Sequence, residues 1–474
     1  MKRNIIFVFA IAFWGILFCD AINLDRDIRK FTSNPLLSHA SVGVSVMDIE
    51  SGEIVGDVNG NISQIPASTM KTVTSATALS VLGDGYEFHT RVFIEGSVGR
   101  NGTLKGNVRI VGGGDPTLGS KWIKAKPSFI ALCINALKER GIKKIKGDII
   151  IDNSIFALPS RSPLWMLEDI AWDYGAGAFG LNYADNTFDV ALDVSAGDSA
   201  TVVHTSPLIS GVTIDNKLAI KDNAKGYDLT VGDHRNIISI VGDVSRKAEL
   251  MTITCANPFP ELSLRDSLII SLEKAKIKIS RKHLKVEKES DLLLDYKSPK
   301  LEQILHSLLE RSDNMFTECV LRAMALNAGQ VATVSNGIDI VKEYWGKRGL
   351  DTNALFMKDG SGLARNNKVS SQFLVKMLAV MMRDNGVGVS FNTLFPIAGK
   401  EGTVGSLLRN TDYAGSFAVK SGSMSEVQCF AGYYPADNPK YSVAILVNNY
   451  HCTRAELIKN IEKLLINIFS SIKK

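Results

Sequence analysis

Between about residue 90 and about residue 290 this chain loses helical periodicity, which is present on both sides of that stretch. Inside it, short β-like runs at 108–111, 145–151, 187–194 and 237–241 alternate with turn signals at Asn101-Gly102, Gly112-Gly113-Gly114-Asp115, Gly211 and Gly242-Asp243. One helix is expected there, near 128–140. Ahead of the stretch, Val42, Val44 and Val46 alternate, Glu50-Ser51-Gly52 turns, and Ile54-Val55 follow, the pattern of a β-hairpin. Residues 70–82 then carry Val73, Ala76, Ala78, Leu79 and Val81 among other small residues, with Gly83 placed to cap the end. A helix that is apolar or small on nearly every side belongs in the middle of a domain. Beyond 290, Leu301, Ile304, Leu305, Leu308 and Leu309 mark one helix, and Phe316, Val320, Leu321 and Met324 the next. Strands are expected at 416–420, 427–434 and 441–447. Thr453 and Glu456 form a capping box that opens a last helix. The two ends thus share one texture and the middle has another. The expected organisation is an α/β (α+β) domain built from 22–90 and 291–474, interrupted by a long β-rich insertion, 91–290, of one or two small domains. A chain of 474 residues, 45% of them hydrophobic, has the core for this.

Lys2 and Arg3, the apolar run from Ile5 to Phe18, and Cys19-Asp20-Ala21 read as a signal peptide over 1–21. The run is shorter than the roughly 20 residues that span a membrane. An uncleaved anchor is the alternative, and bulky Phe18 before Cys19 counts against a lipoprotein site. A formal net charge of +5 with no Lys/Arg block excludes a concentrated nucleic-acid surface, while mild basicity suits adsorption to an anionic polymer. Six cysteines include no C-x-x-C pair, and the seven histidines show no H-E-x-x-H. Neither a metal nor an organic cofactor is expected.

Three short motifs follow in order: Ser68-Thr69-Met70-Lys71, Ser312-Asp313-Asn314 and Lys420-Ser421-Gly422. S-x-x-K alone is common, and Ser271/Lys274, Ser470/Lys473 and Ser471/Lys474 match it too. Context separates them. Ser68 stands at the start of the buried small-residue helix, where free N–H groups favour a developing oxyanion, and Lys71 is one turn further on. Burial would favour the neutral amine, which can accept the serine proton. Ser271 is on a charged helix face, and the last two serines lie at a terminus. Ser312-Asp313-Asn314 falls at a helix junction, where a proton relay and a substrate-holding amide compete with simple N-capping. Lys420 is expected to end a strand, leaving Ser421 and Ser423 along an edge that suits an extended peptide and its carboxylate. Gly175-Ala176-Gly177-Ala178-Phe179-Gly180 matches G-x-G-x-x-G without a following helix and reads as a flexible turn.

S-x-x-K, S-D-N and K-[ST]-G together resemble the penicillin-binding proteins. The long insertion, the Gly112-Gly113-Gly114-Asp115-Pro116-Thr117 run, and Asp359-Gly360-Ser361-Gly362-Leu363 followed by Arg365 resemble one branch of them, the D-alanyl-D-alanine carboxypeptidase/endopeptidases of the penicillin-binding protein 4 type. That resemblance implies a transpeptidase-like domain with an antiparallel sheet flanked by helices. It implies an exported, periplasmic enzyme that cleaves peptidoglycan stem peptides and is acylated by β-lactam antibiotics. Membrane-surface or cell-wall association would fit, and the oligomeric state is left open. Carried over, Ser68 is the nucleophile, Lys71 its base and Ser312 a proton relay. Asn314 positions the substrate, while Lys420, Ser421 and Ser423 meet its carboxylate. The backbone N–H groups of Ser68 and Ser423 form the oxyanion hole, and Arg365 contacts the peptide side chain. The departure is Ser421 with Ser423, where threonine is frequent. Two alternatives stay open: a β-lactamase, although no E-x-x-L-N segment is present, and a catalytically silent cell-wall-binding scaffold.

Overall fold

A computed structural model describes residues 24–124, 126–232, 236–286, 290–383 and 390–472. The expected signal segment 1–21 lies outside them, as does Cys19. The chain divides into two units, one of Met1–Asp84, Leu305–Ser312 and Ile338–Lys474, the other of Gly85–Ile304 and Asp313–Gly337. The second unit takes in the helix Asn314–Asn327, which the sequence placed with the first domain.

The first unit is built on a five-stranded antiparallel sheet in the order Ala418–Met424, Val427–Tyr434, Tyr441–Asn448, Ser41–Asp48, Ile54–Val58. The opening hairpin and the closing meander meet along Ser41–Asp48, paired from Ser41↔Asn448 to Asp48↔Tyr441. The two ends of the chain therefore close one sheet, so a long insertion between them leaves its ladder intact. Every residue of Val427–Tyr434 is buried, because helices cover both faces. On one face the C-terminal helix Arg454–Ile472 lays Leu457, Ile461, Leu464 and Phe469 against Val44, Val419 and Ile445, and Phe469 stacks on Tyr434 at 3.9 Å. On the other, Ser371–Arg383 accepts hydrogen bonds from the Tyr433 and Ser442 hydroxyls, both 2.9 Å. Met70–Leu82 is buried from Met70 through Leu79, and Gly83, at φ 84°, ends it by donating to the Leu79 carbonyl. Its small side chains make that degree of burial possible.

The second unit holds two cores. A six-stranded sheet centred on His89–Val98 and Thr103–Val111 packs with the helices Phe129–Glu139 and Pro260–Lys274 around Val92, Ile110, Leu137 and Leu268. Two three-stranded sheets, one around Thr187–Asp193 and one around Ile237–Val244, share Phe188, Val190, Leu218 and Ile253. The two glycine-rich runs meet each other. Gly114 N–H donates to the Gly180 carbonyl at 2.7 Å, and a Cβ on Gly112 would come within 2.2 Å of that same oxygen. Close backbone approach is what these glycines allow.

Two sequence expectations need adjusting. The strand holding Lys420 does not end there but continues to Met424, because Ser421, Gly422 and Ser423 keep pairing with Phe430, Cys429 and Gln428. The helices Val334–Lys347 and Ser371–Arg383 were not anticipated. Cys133, Cys255, Cys319 and Cys429 are buried and Cys452 half-buried, all as free thiols.

Candidate active site

Ser68 sits in a 3-10 turn, Ala67–Thr69, that feeds directly into Met70–Leu82. The Pro66 carbonyl accepts both the Thr69 N–H (3.2 Å) and the Thr69 hydroxyl (2.7 Å), which tightens the turn. Ala67 adopts the left-handed φ of 46°. The turn leaves Ser68 half-buried, whereas Lys71 is fully buried. Its Nζ donates to Ser68 Oγ at 2.9 Å and to the Ser361 carbonyl at 2.7 Å. A lysine on a flexible stem is thereby fixed at two points, one of them the candidate nucleophile.

The Ser361 carbonyl is itself held by a folded segment. The buried Asp359 carboxylate accepts from Gly362 N–H (2.7 Å), Ala364 N–H (2.7 Å) and Asn367 Nδ2 (2.8 Å). Thr74, one turn beyond Lys71, donates its hydroxyl to the Gly360 carbonyl at 2.7 Å. At Gly362 (φ 82°) a Cβ would come within 1.9 Å of the Ala67 carbonyl. This segment was singled out by resemblance alone; the structure places it against the nucleophile turn. Arg365 is half-buried and makes no hydrogen bond or ion pair among the described residues.

The third motif comes alongside through its glycine. A Cβ at Gly422 would lie 2.5 Å from the Pro66 carbonyl, 2.8 Å from Thr69 N and 2.9 Å from Ser68 N. Lys420, on the same strand face as Gly422, is fully buried and donates from Nζ to the Ser421 carbonyl at 2.7 Å. Burial, and after it the charge of Lys71, holds the Lys420 ammonium well below the ordinary lysine value. Ser421 faces the other side of the sheet, where its hydroxyl meets Thr403 Oγ1 at 2.8 Å; Ser423 is exposed. Ala418–Met424 is the edge strand, and Val419 N–H points outward, donating to the Pro396 carbonyl. By strand alternation the N–H groups of Ser421 and Ser423 face that same edge.

Ser312 follows the helix Leu301–Arg311 in a left-handed conformation, φ 63°. Asp313, not Ser312, caps the next helix, its carboxylate accepting Phe316 N–H at 2.9 Å. Ser312 is thereby spared the capping role that was the bland explanation for this motif. Asn314 is buried and donates from Nδ2 to the Tyr174 carbonyl at 2.8 Å. Tyr174, partly exposed and donating its hydroxyl to Asp169 at 3.2 Å, is a neighbour of Asn314 that no sequence motif pointed to.

Comparison with known proteins finds the family. A model of the D-Ala-D-Ala carboxypeptidase 3 (S13) family matches residues 24–470. The D-alanyl-D-alanine carboxypeptidase DacB of Haemophilus influenzae is 27% identical over 87% of this chain and 86% of its own length. The D-alanyl-D-alanine carboxypeptidase of an Actinomadura species is 27% identical over 92% of this chain and 82% of its own. The crystal structure of penicillin binding protein 4 from Haemophilus influenzae superposes with a TM-score of 0.80 at 25% identity, covering 93% of this chain and 99% of that one. A second structure of that protein, complexed with a β-lactam, gives a TM-score of 0.76. A match that begins ahead of the first strand and ends within the last helix takes in both units, and the chain belongs to the D-Ala-D-Ala carboxypeptidase 3 (S13) family.

Proposed function

We propose that this chain is an exported, periplasmic serine hydrolase that cleaves D-Ala–D-Ala and D-Ala–diaminopimelate bonds in peptidoglycan peptides through an ester on Ser68. The observation that carries the reading is the 2.9 Å contact between Ser68 Oγ and the fully buried Lys71 Nζ. Burial, with the charge of Lys71 behind it, makes Lys420 hold its proton less tightly than an exposed lysine does, and the attack requires Lys71 in its neutral form beside the hydroxyl. Lys71 takes the Ser68 proton as Oγ bonds to the carbonyl carbon of the penultimate D-Ala. The electron pair moves to the carbonyl oxygen, which is met by the N–H groups of Ser68 and Ser423. Collapse of this intermediate expels the amine of the departing residue, which takes up a proton through Ser312. Water then attacks the ester by the same route, freeing the shortened peptide and restoring Ser68. Asn314 positions the peptide and Arg365 meets the peptide side chain; Lys420 with Ser421 and Ser423 receives the terminal carboxylate at the strand edge, for which the Ser421 hydroxyl must leave Thr403 on the opposite sheet face. The strand edge beyond Val419, whose own N–H is already held by the Pro396 carbonyl, suits an extended substrate, which would add as one more strand from Ser421 on. A β-lactam would enter by the same attack, but its leaving nitrogen stays tethered after ring opening, which favours a long-lived ester.

Export follows from the signal-like residues 1–21. No helix among the described residues is long and apolar enough to cross a membrane. The test is digestion of defined monomeric and cross-linked muropeptides by wild type beside Ser68→Ala. Release of D-Ala, or conversion of dimers to monomers, by wild type alone is the expected result. Equal turnover by both proteins would overturn the proposal.

A further inference from the structure

A trans peptide points its C=O and N–H in opposite directions, so whatever fixes the Gly422 carbonyl also fixes the Ser423 N–H. The Gly422 carbonyl faces into the sheet, where Gln428 Nε2 donates to it at 3.2 Å. Its peptide partner, the Ser423 N–H, faces the open edge. Gln428 is the register partner of Ser423 and is fully buried. Its other amide atom, Oε1, accepts from Arg454 Nε at 3.0 Å.

Only one orientation of that amide satisfies both neighbours. Flipped, Nε2 would face a guanidinium that can only donate, and Oε1 a carbonyl that can only accept. Arg454 is at the first turn of the C-terminal helix, beside the Thr453–Glu456 capping box that fixes where the helix begins. Gln428 and Arg454 border a cleft of about 690 Å³, shared with Ser421 and Thr403 on the sheet face away from Lys420. The arrangement matters because Gly422 is next to the last pairs before the hairpin turn, where Met424 pairs with Val427. Ladder bonds fray at strand ends, and a buried side-chain amide gives this carbonyl a second anchor.

We propose that Gln428 is a positioning residue for the oxyanion donor at Ser423, and that Arg454 sets the orientation of its amide. The proposal rests on the reading of the Ser423 N–H as an oxyanion donor. Neither side chain touches substrate. Each acts through the tilt of one peptide plane, so its effect belongs to the transition state and not to the encounter complex.

The test is acylation of the full chain by a fluorescent penicillin, resolved into an encounter constant and an acylation rate constant. Affinity for a boronic acid, whose tetrahedral adduct carries an oxygen in the oxyanion position, is measured alongside. Gln428→Leu is expected to lower the acylation rate constant about 10- to 30-fold, below the ~10²-fold or greater cost of losing a donor outright. Boronate affinity should fall by the same factor, and the encounter constant should change less than about twofold. Gln428→Glu, which keeps the Arg454 contact but presents an acceptor to the Gly422 carbonyl, should lose as much. Arg454→Met should lose less, and nothing further once Gln428 is already Leu. An acylation rate within about twofold of wild type in Gln428→Leu, a loss confined to the encounter constant, or additive losses in the double variant would each overturn the proposal. Should Gln428→Leu fail to fold, the exposed Arg454→Met variant and its boronate affinity decide on the same terms. A wild type that takes up no penicillin at Ser68 would overturn the acyl-enzyme reading instead, before any variant is made.

Discussion

Gly422 lies so close to the nucleophile turn that a Cβ there would stand 2.9 Å from the backbone nitrogen of Ser68. The atoms it would strike are backbone, which cannot swing aside as a side chain can. Gly422→Ala should therefore push the strand Ala418–Met424 away from Ser68 and spoil the alignment of both proposed oxyanion donors. We expect penicillin acylation to fall by about 10²-fold, the order of cost for a displacement of about 1 Å at a reacting centre. Labelling kinetics and a melting curve check this together; acylation at the wild-type rate would contradict it.

Asp359 acts one step further back. Its carboxylate gathers three donors, and the turn they form presents the Ser361 carbonyl to Lys71. Asp359→Ala leaves the Gly362 and Ala364 N–H groups without this acceptor, at a cost of about 1–3 kcal/mol for each one that stays buried, while Asn367 Nδ2 keeps the Ala364 carbonyl. Asp359→Asn keeps the shape but turns one acceptor into a donor. The expected order of thermal stability is wild type, then Asn, then Ala, with acylation following the same order. A stable, fully active Ala variant would show that Lys71 needs no such support.

A pH effect is expected from Asp115, in the second unit. It is fully buried, its Oδ1 accepts the Thr117 N–H and hydroxyl, and its Oδ2 has no partner among the described residues. Burial raises its pKa from 3.8 to about 6 against the opposing pull of the Thr117 bonds. Between those values the folded chain holds a proton that the unfolded chain has released. Stability contributed by this group is therefore present at low pH and lost as pH rises toward 6, a difference on the order of 3 kcal/mol. Asp115→Asn should flatten that part of the profile. Urea midpoints of both proteins at about pH 4.5 and about pH 7 measure it; equal pH slopes would refute the assignment.

How much of this was legible beforehand depends on where each signal resides. Side-chain motifs could be read: Ser68 and Lys71 one helical turn apart, the small-residue helix that buries the lysine, and the capping box of Thr453 and Glu456 all depend on neighbours in sequence. Contacts made by backbone could not. The Ser361 carbonyl on Lys71 and the approach of Gly422 to Ser68 join segments hundreds of residues apart, and a carbonyl has no residue signature. Gln428 looks in sequence like one more residue of a buried strand, and only the sheet register sets it beside Ser423. The Lys420 strand was expected to end at Lys420, whereas Ser421, Gly422 and Ser423 go on pairing, and the glycine is also what lets the strand pack on the turn. The helix Ser371–Arg383 did leave a trace, since Phe373, Leu374, Met377, Leu378 and Met381 fall at helical spacing on a buried face.

The central claim is that one hydroxyl becomes covalently esterified, and peptide mass mapping after exposure to penicillin tests it most directly. Wild type should carry one adduct, on the peptide containing Ser68, and Ser68→Ala should carry none while melting like wild type. An adduct on any other residue, or none on a folded wild type, would contradict the account.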